Sequence, residues 1–254
     1  MSELEQALSK YGPAIRHEED DPTYLHLVNN LRRIIPFDRP DGYLIAENVV
    51  YIIEHFEFDS SKVTNKKGSI SRSELGRVNR EFEKYSVDNG YAYIDKLHIE
   101  PSADSYIKNA IQNMRNHYAK IQDYKNNLLS SGIVDPCSIV KVGFFIEDVT
   151  QLGSYYKADN GLQPLNLVDC QEFLDCFDSC ADLDFCLCAN SYGNPTNDIP
   201  SLFSSSCLDS TMHKCLYFLS KSSIAKYRQK QMSIMEIQYM AFPPGIIGDK
   251  GIFK

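Results

Sequence analysis

Residues 40–59 read PDGYLIAENVVYIIEHFEFD. Two apolar runs, 42–46 and 49–58, flank the polar dipeptide Glu47-Asn48. Both are rich in Tyr, Ile, Val and Phe, and so short a connection predicts an antiparallel hairpin. Strand alternation divides the second run. Val50, Ile52, Glu54, Phe56 and Phe58 share one face; Tyr51, Ile53, His55, Glu57 and Asp59 share the other. Glu54 therefore lies among apolar side chains. A carboxylate there is costly unless a cation, a metal or strong hydrogen bonds meet it. His55, Glu57 and Asp59 have a spacing that suits a Mn, Fe or Zn ion. Alternating polar residues are also the ordinary pattern of a solvated strand face, and that is the reading adopted for this trio.

Outward from the hairpin, residues 1–35 show two helical periodicities. Leu4, Leu8 and Tyr11 form one; Leu25, Val28, Leu31, Ile34 and Ile35 form the other, after a break at HEEDDP, residues 17–22. Downstream, a helix is predicted from Ser73 to about Ser86 and a third strand over 91–99. One long helix then runs from Pro101 to about Leu129, ended near Gly132. SIVKVGFFI, residues 138–146, is apolar enough for a strand buried on both faces. A helix over 169–180 and strands over 184–189 and 212–219 follow. Residues 224–240 fit helix or strand, and the tail PPGIIGDKGIFK, 243–254, is expected to be irregular. This order predicts an α/β fold: a central mixed sheet flanked by helices. Residues 1–160 form its core. Residues 161–254 form an extension that completes the sheet or makes a small α+β subdomain.

At 254 residues the chain is long enough for one large domain or two small ones. Its net charge of −8 excludes a protein that coats nucleic acid indiscriminately, because such binding runs on Lys and Arg. No apolar run reaches the roughly 18 residues of a membrane span. The opening MSELEQALSKYG lacks the features of a secretion signal. A cytoplasmic protein is expected, with its eight cysteines as reduced thiols. Cys170, Cys176, Cys180, Cys186 and Cys188 cluster, but without the paired spacing of a zinc site, so packed thiols are the better account. His98, His117 and His213 stand isolated and read as structural. KVTNKKGSISR, 62–72, lacks the Gly-Lys-Ser/Thr ending of a nucleotide-binding loop.

The hairpin carries a more specific pattern. Pro40-Asp41 at its start and Glu54 on its second strand resemble the motif of the PD-(D/E)xK nuclease superfamily, which has the restriction-endonuclease-like fold. In that family one strand carries Pro-Asp and the next an acidic residue followed two positions later by Lys. The resemblance implies a metal-dependent nuclease in which Asp41 and Glu54 bind Mg²⁺ or Mn²⁺. It also implies a nucleic-acid substrate, DNA ahead of RNA, and a role in defence against foreign DNA. An acidic chain of this type is expected to work as a homodimer or within a larger assembly. Lys62, Lys66, Lys67 and Arg72 would contact phosphates. Glu18, Glu19, Glu147 and Asp148 are candidates for a third carboxylate. The pattern departs from the family at Phe56, where Lys is expected. Lys67, Lys96 or Lys108 would then supply the catalytic cation. The alternative is that the fold persists without catalysis, as a protein-interaction subunit.

Overall fold

The computed structural model describes residues 2–11, 15–16, 21–60, 73, 77, 80, 91–93, 103–149, 153–158, 161–193, 212–230, 237–240 and 246–248. The predicted hairpin forms at the expected boundaries: β3 is Gly42–Ala46 and β4 is Val49–Phe58. Glu47 takes the left-handed φ of 56° in the two-residue turn between them. The remaining strands of the central sheet are β1 (Ile15–Arg16), β2 (Ile35–Pro36), β6 (Ile139–Asp148), β9 (Phe185–Gly193) and β10 (Met212–Ser220). They join in the order β1-β10-β9-β6-β4-β3-β2. β4, β6 and β9 run parallel, β3 is antiparallel to β2 and β4, and β10 is antiparallel to β9 but parallel to β1. The sheet is therefore mixed, as expected, and strands from the C-terminal third complete it.

Helices cover both faces. α1 (Glu3–Tyr11) and α2 (Pro22–Val28) bury Leu4, Ala7, Tyr11, Tyr24 and Leu27 against Tyr51, Ile53 and Phe145. On the other face lie α3 (Ala103–Tyr118), α4 (Ile121–Ser130), α5 (Gln171–Ser179) and α6 (Ile224–Lys230). They pack on Val50, Ile52, Phe56, Phe58, Val142 and Phe144. The alternation of β4 thus feeds two cores, and each takes one face of the strand. Among the described residues, no helix is long and apolar enough to cross a membrane.

Several elements differ from expectation for identifiable reasons. The single long helix over 101–129 is two, separated by a turn at Ala119-Lys120. There the Lys120 amide bonds the His117 carbonyl and Lys120 leaves helical geometry, which lets Ile121 and Tyr124 turn into the core. Pro22 does not merely end a helix; it opens α2, where Asp21 caps the amide of Tyr24. The predicted third strand survives as β5 (Tyr91–Tyr93), and it pairs with β12 (Ile246–Gly248) instead of the central sheet. The tail thereby acquires a strand. β7 (Gly153–Ala158), β8 (Gly161–Pro164) and β11 (Ile237–Met240) make a third, three-stranded sheet.

One mismatch of strand lengths positions the site. β6 pairs with β4 along its whole length, from Val49 to Phe58. β3 pairs only as far as Gly42 opposite Ile53. Past that point the outward backbone groups of β4 have no strand beside them, and buried backbone groups need partners. Side chains supply them. Asp41 Oδ2 accepts from the His55 amide at 2.7 Å. Asn113 and Asn109, one turn apart on α3, donate to the carbonyls of Glu57 at 3.2 Å and Asp59 at 2.6 Å.

Gly143 on β6 admits the ring of Phe185 flat against the sheet: a Cβ at this position would lie 2.1 Å from two ring carbons. Phe185 is fully buried and cannot swing away. Gly143→Ala is expected to lower unfolding free energy by about 1–3 kcal/mol, the usual cost of overpacking, measured by urea denaturation.

Candidate active site

The pairing of β3 with β4, continued one residue past Gly42–Ile53, sets Asp41 across from Glu54 on the same face of the sheet. Glu54 is 8% exposed. Its Oε1 accepts from the Tyr124 hydroxyl at 2.8 Å and lies 3.1 Å from Nδ1 of His117. Tyr124 and His117 are also 3.2 Å from each other, so the three groups form a closed triangle. His117 comes from the last turn of α3 and Tyr124 from the first of α4. The turn that splits the predicted long helix is what brings both to Glu54.

Each carboxylate is half committed. Glu54 Oε1 carries its hydrogen bonds, whereas Oε2 is buried with no hydrogen-bond partner. Asp41 spends Oδ2 on the His55 amide, and its second oxygen has no hydrogen bond among the described residues. Burial, and then the negative charge of Glu54, push the Asp41 carboxyl above its ordinary range. The charge of Glu3, from α1, adds to this in a smaller measure. Burial and the hydrogen bond to Glu54 drive the Tyr124 hydroxyl well above its ordinary value, so it stays a donor.

These features fit a hard divalent cation. Mg²⁺ and Mn²⁺ take oxygen ligands, and Mg²⁺ in particular uses one or two carboxylates and fills the rest with water and phosphate oxygens. Two anionic oxygens without partners, one of them buried, meet that requirement. Among the described residues no group of three or more His, Cys, Asp or Glu side chains is arranged to hold a metal ion.

The expected lysine is not found among the described residues at this site. Lys108 is exposed and paired with Asp104 at 2.7 Å. It also sits nine residues from His117 on α3, roughly 13 Å along the axis. Lys62, Lys66, Lys67, Arg72 and Lys96 lie outside the described residues, as do Glu18, Glu19 and His98. At the lysine's own position the ring of Phe56 stacks on the imidazole of His117, with centroids 4.5 Å apart and planes within 14°. In the sequence His117 reads as isolated; the fold brings it to Glu54 across 63 residues.

The opposite face of β4 corrects the reading of His55, while Glu57 and Asp59 there are only half-buried. His55 is not solvated: its side chain is 3% exposed, packed near Phe145 under α1. Its Nε2 lies 3.3 Å from Oε2 of Glu147, and Glu147 Oε1 takes Lys10 Nζ at 2.7 Å and the Tyr11 hydroxyl at 3.0 Å. Glu147 thus sits at the same end of the sheet as Glu54 but on the other face. It fastens α1 to the strands. Asp148, its neighbour, is buried near Tyr106. The thiols of Cys170, Cys176, Cys180, Cys186 and Cys188 are free and buried within the core, as packed residues.

Comparison of the chain with protein-family models, with curated proteins and with solved structures finds no match.

Burial opposes ionisation of Glu147, but bonds from His55, Lys10 and Tyr11 outweigh it and hold the carboxyl at about 2, against 4.5 ordinarily. A depressed folded-state value gives stability that is present above the unfolded value and lost as pH falls toward the folded one. Wild-type stability should therefore fall between about pH 5 and pH 2, where the unfolded chain takes up this proton first. In Glu147→Gln, stability at pH 7 should be lower and the decline shallower. Urea denaturation of both proteins at pH 7, 5, 4 and 3 measures this.

Proposed function

We propose that the protein is a metal-dependent nuclease that cleaves phosphodiester bonds, with Asp41 and Glu54 holding Mg²⁺ or Mn²⁺. The observation that carries this reading is the pair of facing carboxylates, each with one oxygen fixed by the fold and one without a partner. A buried carboxylate oxygen without a hydrogen bond costs free energy that a bound cation would recover. When bound, such an ion lowers the pKa of a water molecule and offsets charge on the phosphate. Tyr124 and His117 fix Glu54 through Oε1 and leave Oε2 as the ligand atom. The His55 amide does the same for Asp41. Support from the sequence is the Pro-Asp and Glu pattern at the two strands of one hairpin.

DNA as the substrate ahead of RNA, a role against foreign DNA, action as a homodimer or in a larger assembly, and a cytoplasmic location belong to the same proposal. A net charge of −8 fits it if substrate is held by local cations and by partner chains. One observation favours a second reading, in which the fold serves as a non-catalytic interaction subunit. The stack of Phe56 on His117 fills the position where the family pattern carries its lysine.

Two measurements separate these readings. Isothermal titration with Mn²⁺ should detect a site in wild type that Glu54→Gln abolishes. Cleavage of DNA and RNA in Mn²⁺ should fall about 100-fold or more in the same variant, as when a group acting on the transition state is removed. Glu54-dependent binding without cleavage would select the interaction subunit. Equal cleavage by wild type and Glu54→Gln would overturn the site. Tyr124→Phe, which removes a hydrogen bond to the ligand carboxylate, should weaken Mn²⁺ binding about 10- to 100-fold.

A further inference from the structure

The carboxylate pair lacks a described lysine, and most cations of the fold that contact acidic groups are already engaged. Lys10 is bound to Glu147, Lys108 to Asp104, Lys125 to Asp182, and Arg228 to Asp175 and Asp178. Arg39 is different. It stands at the tip of the loop between β2 and β3, closed by a hydrogen bond from the Phe37 amide to the Asp41 carbonyl. It is exposed, and its side chain has no hydrogen bond or ion pair among the described residues. Its backbone has a left-handed φ of 59°, a conformation that side chains other than Gly adopt at a cost. Asn127 of α4 holds that conformation by donating to the Arg39 carbonyl at 3.2 Å. The cationic head therefore springs from a fixed point two residues before Asp41. Its charge is felt at Tyr124, the residue that bonds Glu54.

We propose that Arg39 is the phosphate-binding cation of this site, gripping the backbone of a nucleic-acid strand beside Asp41 and Glu54. The proposal rests on that carboxylate pair being the reacting end of the site. A planar guanidinium with several donors matches two phosphate oxygens at once, which a lysine does not. An unpaired arginine held at a strained position, next to two carboxylates with open oxygens, gives a phosphodiester both of the partners it needs. The scissile phosphate faces the carboxylates and an adjacent phosphate meets Arg39.

The test is binding without cleavage. Fluorescence anisotropy with a fluorescein-labelled 20-base-pair DNA duplex and the matching RNA duplex is run in EDTA at several salt concentrations. Arg39→Gly should raise Kd about tenfold and reduce the slope of log K against log salt by about 1. Arg39→Lys should recover part of the loss. The melting temperature of Arg39→Gly should hold or rise, since glycine accepts the left-handed backbone, so lost binding cannot be lost folding. Glu54→Gln should bind these probes at least as tightly as wild type, because it removes a negative charge beside the phosphates. If Arg39→Gly binds like wild type, the role of Arg39 is overturned, while Glu54-dependent Mn²⁺ binding still upholds the carboxylate site. If wild type binds neither duplex, Arg39 has no such role. If Glu54→Gln leaves Mn²⁺ binding unchanged, the reading of the site fails instead.

Discussion

β4 is longer than one of its neighbours, and much of this molecule follows from that inequality. β6 accompanies it for ten residues, while β3 stops opposite Ile53. Hydrogen-bonding groups on the uncovered side of His55, Glu57 and Asp59 cannot be left without partners in a protein interior. Asp41, Asn113 and Asn109 meet them. In doing so Asp41 is held across from Glu54, and α3 is drawn along the exposed margin of the strand with His117 at its end. The carboxylate pair and the imidazole beside it thus arise from a repair of the sheet edge.

The two faces of β4 divide labour. One carries Glu54, Phe56 and the triangle with His117 and Tyr124, under α3 and α4. The other carries His55, joined to Glu147, Lys10 and Tyr11 under α1. The second network is fully satisfied: both oxygens of Glu147 have partners, and a cation and a hydroxyl hold it ionised. The first is not. Glu54 keeps one buried oxygen in reserve, and Asp41 one more. Buried polar groups are normally paired, and the buried Oε2 of Glu54 departs from that pattern. One network is closed and anchors a helix; the other leaves two carboxylate oxygens open.

Much of the fold was legible because it is written in short-range patterns. The hairpin, with its two-residue turn, and β6 follow from apolar alternation and turn chemistry within about ten residues of chain. Where reading failed, the deciding contact was distant. Nothing local in 101–129 separates one helix from two; the break exists because Ile121 and Tyr124 gain burial by turning inward. β5 left the central sheet for β12, more than 150 residues away. The tail looked irregular because its strand has a partner only in the folded state.

The sequence by itself determined the α/β class, the mixed sheet, the hairpin and the placement of Asp41 and Glu54 on one face, since a period of two dictates which residues share a side. It did not determine what surrounds that face. His55 reads as a wet residue, yet α1 buries it; His117 reads as isolated, yet it stacks on Phe56 and touches Glu54. Arg39 carries no motif, and its left-handed backbone arises only from loop closure and the hold of Asn127. Burial, hydrogen-bond satisfaction and charge are properties of neighbours in space. Those neighbours are assembled by packing helices onto both sides of the sheet, so only the tertiary structure decided which carboxylate was finished and which remained open.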